Sequence, residues 1–177
     1  AKGLAYGSGK PLLGINHLEG HVYSPWLLPD REPPDFPAVV LIVSGGHTEL
    51  LLMRGHNDYH RLGATLDDAA GEAFDKVARL LDLSYPGGPA IEQAARSGDP
   101  TRHAFSRAWL DGTWDFSFSG LKTAVLYAVR GQPYGRPLVG VAEAIDPARV
   151  PDLAASFQAA AVEVLAVKAI RAAERFN

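Results

Sequence analysis

Two short β-rich runs lie only five residues apart, and that spacing limits the fold more than any other feature. Residues 38–43 are wholly aliphatic, residues 49–54 are largely so, and Ser44-Gly45-Gly46-His47-Thr48 joins them. Strand-forming residues on either side of a glycine pair predict an antiparallel hairpin. A helical pattern follows at Thr65-x-x-Asp68, which has the form of a capping box with Asp in place of Glu. Its apolar face carries Ala70, Ala73, Phe74, Val77, Leu80 and Leu81.

The flanking segments read as follows. Residues 11–16 suggest a short apolar strand, and Asn16 caps a helix that starts at His17 and stops at Ser24-Pro25. A Pro- and acid-rich connector at 29–37 marks a domain boundary. After Tyr85-Pro86-Gly87-Gly88-Pro89 come helices at 90–97 and 102–111, a brief strand at Phe116-Ser117-Phe118, and a helix at 120–130 with Ser119 as cap. A Gly/Pro-rich loop at 131–137 and a strand at 138–142 lead to a long Ala-rich helix opened by Asp152. On that helix Lys168, Arg171 and Arg175 form one polar stripe. The chain begins at Ala1 without an initiator Met and ends within a helical pattern, so it reads as a piece of something longer.

Composition removes several chemistries. The 177 residues include no Cys, so there is no disulfide framework, no thiol nucleophile and no Cys-ligated zinc or iron–sulfur cluster. Any metal must use His and carboxylate. Seventeen Lys and Arg against 20 Asp and Glu give a formal charge of −3, which offers no general attraction to nucleic acid or anionic lipid. The aliphatic run at 38–43 is too short to cross a bilayer and no signal-peptide layout is present, so the expected location is cytoplasmic, with no membrane partner.

Five constellations can carry chemistry. His17 and His21 stand four apart, so on a helix both imidazoles leave one face and can share an ion; the alternative is a pair of surface histidines. Glu19 lies off that face and makes a poor metalloprotease base. The glycines of the 44–48 turn let successive N–H groups converge on a phosphate or carboxylate, with hydroxyls from Ser44 and Thr48, or they simply make a hairpin turn. Asp68, Glu72 and Asp75 at i, i+4 and i+7 place three carboxylates in one row, either as a ligand face or as a solvated face relieved by Lys76 and Arg79. Gly87-Gly88, with Glu92 one turn later, can bring backbone close to a flat or sugar-like ligand. Ser117 to Thr123 places Lys122 in the first turn of a helix without the spacing of a P-loop.

Taken in order, His17-Leu18-Glu19-Gly20-His21, Val43 to Thr48, Asp67 to Lys76, Tyr85 to Pro89 and Phe116 to Thr123 closely resemble the TsaD family of tRNA threonylcarbamoyladenosine transferases, once named O-sialoglycoprotein endopeptidases. The resemblance runs from about Leu12 to the final helix. It implies an α/β, actin-like and Hsp70-like (ASKHA) two-lobed fold, here mainly one lobe. Residues 1–35 would be the tail of the first lobe, with the metal helix and connector, and 36–177 the second lobe, incomplete at its C-terminal end. It also implies transfer of threonylcarbamoyl from threonylcarbamoyl-adenylate to N6 of the adenosine 3′ of the anticodon, in tRNAs reading codons that start with A.

By motif, His17 and His21 become metal ligands, for Fe²⁺ first and Zn²⁺ second. Ile42, Val43, Ser44, Gly45 and Gly46 hold the phosphate or carboxylate of the adenylate or an ATP-like ligand. Asp75 and Gly88 contact its nucleoside, as carboxylates bind ribose hydroxyls elsewhere, and Glu92 matches a ligand position found in some members. No residue is assigned as the general base. The implied partners are tRNA, a paralogous non-catalytic subunit and a small ATPase. The chain has about half the family's usual length and lacks the segment that supplies a third metal ligand, so it is expected to bind metal weakly and to be inactive alone. Two other readings compete: a metal-dependent hydrolase or peptidase, which lacks a base and a third ligand, and a non-catalytic docking lobe.

Overall fold

A computed structural model describes residues 1–30, 32–130 and 145–176. The chain divides into two compact units, Ala1–Asp35 and Phe36–Asn177. The first holds two short helices, α1 (Lys2–Ser8) and α2 (His17–Val22), and a 3₁₀ turn at Ser24–Leu27. Asn16 caps α2 as the sequence predicts, its Oδ1 accepting from Leu18 N–H at 2.9 Å. Helix α1 has no side-chain cap and buries no residue, which is why no start signal announces it. Residues 11–16 form no strand. A strand persists only with a ladder partner, and none faces them among the described residues of this unit.

The second unit is built on a three-stranded antiparallel sheet in the order β1-β2-β3, with β1 at Ala38–Val43, β2 at Thr48–Gly55 and β3 at Asp58–Ala64. The predicted hairpin forms, with Val43 paired to Thr48 and Leu41 to Leu50. In the central strand β2, residues Leu50 to Met53 are buried on both faces, which accounts for their unbroken apolar run. Strand β3 was not anticipated. It reads Asp58-Tyr59-His60-Arg61 at its start, mostly exposed and without an apolar run, and it turns back through Asn57 at a φ of 62°. Asparagine tolerates that left-handed conformation, and this was the available signal.

Among the described residues four helices complete this unit: α3 (Ala70–Leu80), α4 (Gly87–Ala95), α5 (Ser119–Arg130) and α6 (Val150–Phe176). Helix α6 packs on α4, α5 and β1, and α3 packs on α4 and α5. Phe116, Phe118, Phe157, Leu50, Leu153 and Ile91 fill the core between them. By length and composition α6 is apolar enough to cross a membrane, but in this fold it is the core helix.

Several local expectations give way. Helix α4 starts three residues earlier than predicted, because the first N–H groups of a helix need no partner within it and so glycines and a proline fit there. Residues 102–111 form no helix. They are fastened instead to α6, where His103 N–H donates to Ser156 Oγ at 3.2 Å and Arg107 pairs with Glu163 at 2.8 Å. Phe116 makes only an isolated bridge with Thr65. Lys168 is not on an exposed stripe; it is 4% exposed, and its Nζ donates to the carbonyls of Thr113 and Asp115 at 3.1 and 2.5 Å. The loop at 131–137 and strand at 138–142 lie outside the described residues.

Candidate functional site

In the first unit, α2 brings the predicted histidine pair together. The Nε2 atoms of His17 and His21 are 2.9 Å apart, and their ring centroids 4.6 Å apart. Both Nε2 atoms leave one face of α2 and are close enough that a single ion could meet both. No group of three or more His, Asp or Glu able to hold a metal occurs among the described residues.

The second unit gathers most of the other predicted residues. Ser44 closes its own turn: its N–H donates to His47 O at 2.8 Å, and its Oγ accepts from the N–H groups of His47 at 3.0 Å and Gly46 at 3.3 Å. Successive N–H groups do converge here, but on the Ser44 hydroxyl rather than on open space. Ile42 is buried at the strand end, whereas Val43 is 45% exposed. Thr48 is no ligand hydroxyl; it is fully buried, and its Oγ1 accepts from Ala70 N–H at 2.8 Å. That bond caps α3 from 22 residues away, because the N-cap residue Ala69 has no side chain to do so. The Thr65 hydroxyl instead donates to Asp68 O at 2.8 Å, so no capping box forms.

The three carboxylates do not share a row. Asp68 precedes α3, and both it and Glu72 turn to Lys76 Nζ, at 2.7 and 2.9 Å, which holds the Lys76 ammonium above its ordinary pKa. Asp68 Oδ2 is screened from solvent, has no hydrogen-bond partner among the described residues, and faces Lys122 Nζ at 3.5 Å. Asp75 points elsewhere: its Oδ1 accepts from Gly87 N–H at 2.7 Å and so binds the start of α4. Gly88 is next in line, and the space where its Cβ would lie is open. Glu92 is exposed, pairs with Arg96 at 3.4 Å, and no contact draws it to the rest.

Asp67, outside the predicted carboxylate set, anchors the start of α5. Its Oδ1 accepts from the N–H groups of Phe118 at 2.8 Å and Ser119 at 3.3 Å, and its Oδ2 from the hydroxyls of Ser117 at 2.5 Å and Ser119 at 2.7 Å. Partial burial pushes its pKa up, and these bonds more than reverse that, leaving it below 3.8. Ser119 is thus the first helical residue of α5 and a donor to Asp67, not the cap. The pairing spans some fifty residues, which no local spacing rule can foresee.

Glycine turns with open approach lie near a carboxylate bound to a helix start, in a chain that also carries a close histidine pair. The family model for TsaD, tRNA N6-adenosine threonylcarbamoyltransferase, matches residues 1–177, and the chain belongs to that family. A curated tRNA N6-adenosine threonylcarbamoyltransferase from Thermomicrobium roseum is 56% identical over 193 aligned positions, covering 100% of this chain and 52% of the relative. Proteins of the same name from Symbiobacterium thermophilum and Bordetella petrii are each 54% identical, covering 98% and 97% of this chain and 48% and 47% of their own lengths. The chain spans about half the length of these relatives.

Proposed function

We propose that the protein containing this chain transfers the threonylcarbamoyl group from threonylcarbamoyl-adenylate to N6 of the adenosine 3′ of the anticodon, in tRNAs reading A-starting codons. The observation that carries this reading is the family match along the whole chain, supported by open approach to the backbone at Gly45, Gly46 and Gly88. In the reaction the adenine amine attacks the acyl carbon of a mixed anhydride, the bond to the phosphate oxygen breaks, AMP leaves and the amine gives up a proton. The leaving group is already good, so the protein's task is to orient two partners and to stabilise charge.

The segment Ile42-Val43-Ser44-Gly45-Gly46 would receive the phosphate or carboxylate of the adenylate. There Ser44 keeps the turn in shape, and Gly45 and Gly46 leave room for close approach. Asp75 has one oxygen engaged with Gly87, and the other would accept from ribose hydroxyls, with Gly88 and Glu92 as further ligand contacts. His17 and His21 would hold a divalent ion, Fe²⁺ or Zn²⁺, which supplies Lewis acidity at the acyl group when bound. Capture of tRNA by an acidic chain calls for added positive charge, which a paralogous subunit and a small ATPase would bring. In this reading residues 1–35 and 36–177 belong to the first and second lobes of an actin-like, Hsp70-like (ASKHA) fold, and the protein works in the cytoplasm.

Calorimetric titration of this chain with a non-hydrolysable ATP analogue tests the ligand half of the reading. Saturable binding that weakens in Asp75→Asn is expected; a folded wild type that takes up no nucleotide contradicts it. The chain alone should form no modified tRNA, and turnover by the purified chain would overturn the view that it is only part of the catalyst.

A further inference from the structure

We propose that Gly71 and Gly87 are positioning residues that lock the 44–47 turn, Asp75 and Gly88 into one rigid ligand platform. The claim rests on the ligand reading above for its functional consequence, and on geometry for everything else.

Two observations carry it. A Cβ added to Gly71 would lie 2.6 Å from Ser44 O and 2.8 Å from both Cα and N of Gly45. A Cβ added to Gly87 would lie 2.5 Å from Asp75 Cα and 2.7 Å from Asp75 N and Phe74 O. Every one of these neighbours is backbone, so no side-chain rotation can relieve the clash. Alanine is otherwise the better helix former, and both glycines sit in first turns of helices without any positive φ. Close approach is the physical reason that remains for glycine at both places.

The two contacts are linked by one short helix. Gly71 N–H donates to Ser44 O at 3.1 Å, fixing α3 to the turn, and Asp75 Oδ1 accepts from Gly87 N–H at 2.7 Å, fixing α4 to α3 one turn further on. The ligand-side glycines behave in the opposite way: Gly45, Gly46 and Gly88 have no heavy atom within 4 Å of where a Cβ would be. Tight glycines lie behind the platform and open ones in front. A methyl group at 71 must push the turn away from α3, and one at 87 must push Gly88 away from Asp75.

The test uses this chain with amide NMR and calorimetry with a non-hydrolysable ATP analogue. Gly71→Ala is expected to move the amide resonances of Ser44 to His47, and Gly87→Ala those around Gly87 and Gly88. Each should weaken nucleotide binding by about tenfold or more. Gly120→Ala, in α5 with open space around it, should change neither. Unmoved turn resonances together with unchanged affinity in Gly71→Ala overturn the proposal. If wild type binds no nucleotide, the ligand reading fails and the resonances alone decide the positioning claim. Should Gly71→Ala not fold, Thr48→Val loosens the same junction without adding bulk; equal affinity in Thr48→Val and Gly87→Ala would then overturn it.

Discussion

Replacing Thr48 by valine isolates the bond that joins the hairpin to α3. The side chain is fully buried and its Oγ1 receives Ala70 N–H at 2.8 Å, while Ala69 offers that helix no cap of its own. Valine keeps the shape and removes the acceptor, leaving a backbone N–H desolvated and unpaired. Such a group costs about 1–3 kcal/mol, close to the ~0.5–2 kcal/mol measured for lost caps. The extra apolar contact of the new methyl returns something under ~1 kcal/mol. The net loss should be about 1–2 kcal/mol, or roughly 2–8 °C in Tm for a domain of this size. Urea and thermal unfolding read the loss, and amide hydrogen exchange at Ala70 locates it. Thr48→Ser retains the acceptor and should keep Ala70 protected even though it loses a buried methyl. Unchanged Ala70 exchange in Thr48→Val, or a stability within about 0.5 kcal/mol of wild type, would refute the remote cap.

Three further outcomes follow from the same geometry. Asp67 titrates below 3.8 in the folded chain, so the stability it confers is complete above that value and is lost as pH falls through the lower folded pKa; Asp67→Asn should flatten this acid limb in a pH-dependent unfolding series. Burial lowers the pKa of Lys168 below 10.5, so between its folded pKa and 10.5 the unfolded state binds more protons and the contribution of Lys168 to stability rises with pH. Lys168→Met should remove that rise, read as the difference between urea midpoints at neutral and alkaline pH. His17→Ala combined with His21→Ala should abolish uptake of Fe²⁺ or Zn²⁺ by the chain, measured against a colorimetric chelator, and leave the unfolding of the second unit unchanged.

The sequence is most transparent where the apolar pattern of an element matches its environment. The aliphatic run of β1, the all-buried stretch of β2 and the 3.6-residue face of α3 each had their element assigned, because side-chain pattern and environment coincide there. The His17–His21 spacing likewise carried through to converging nitrogens. Long-range polar bonds stayed hidden. Thr48 capping α3, Asp67 bonding the start of α5 and Asp75 receiving Gly87 join residues 12 to 52 apart; in isolation Thr48 reads as a hydroxyl of the turn, Asp75 as one carboxylate of a row, and Asp67 carries no local signal of its own. Lys168 was misplaced for a related reason: its polarity suggested solvent, while two carbonyls from the 113–115 segment satisfy its ammonium inside the fold. Strand β3 escaped because an exposed edge strand needs no apolar run.

The proposed role, supplying working parts of a threonylcarbamoyltransferase, is tested most directly by function in place. The chain is grafted into the Thermomicrobium roseum relative in place of the matching segment, and N6-threonylcarbamoyladenosine in tRNA is quantified by mass spectrometry of its nucleosides. Product is expected from the graft, and none from folded grafts carrying Asp75→Ala or His17→Ala with His21→Ala. A folded graft that makes no product, or one indifferent to those substitutions, would contradict it.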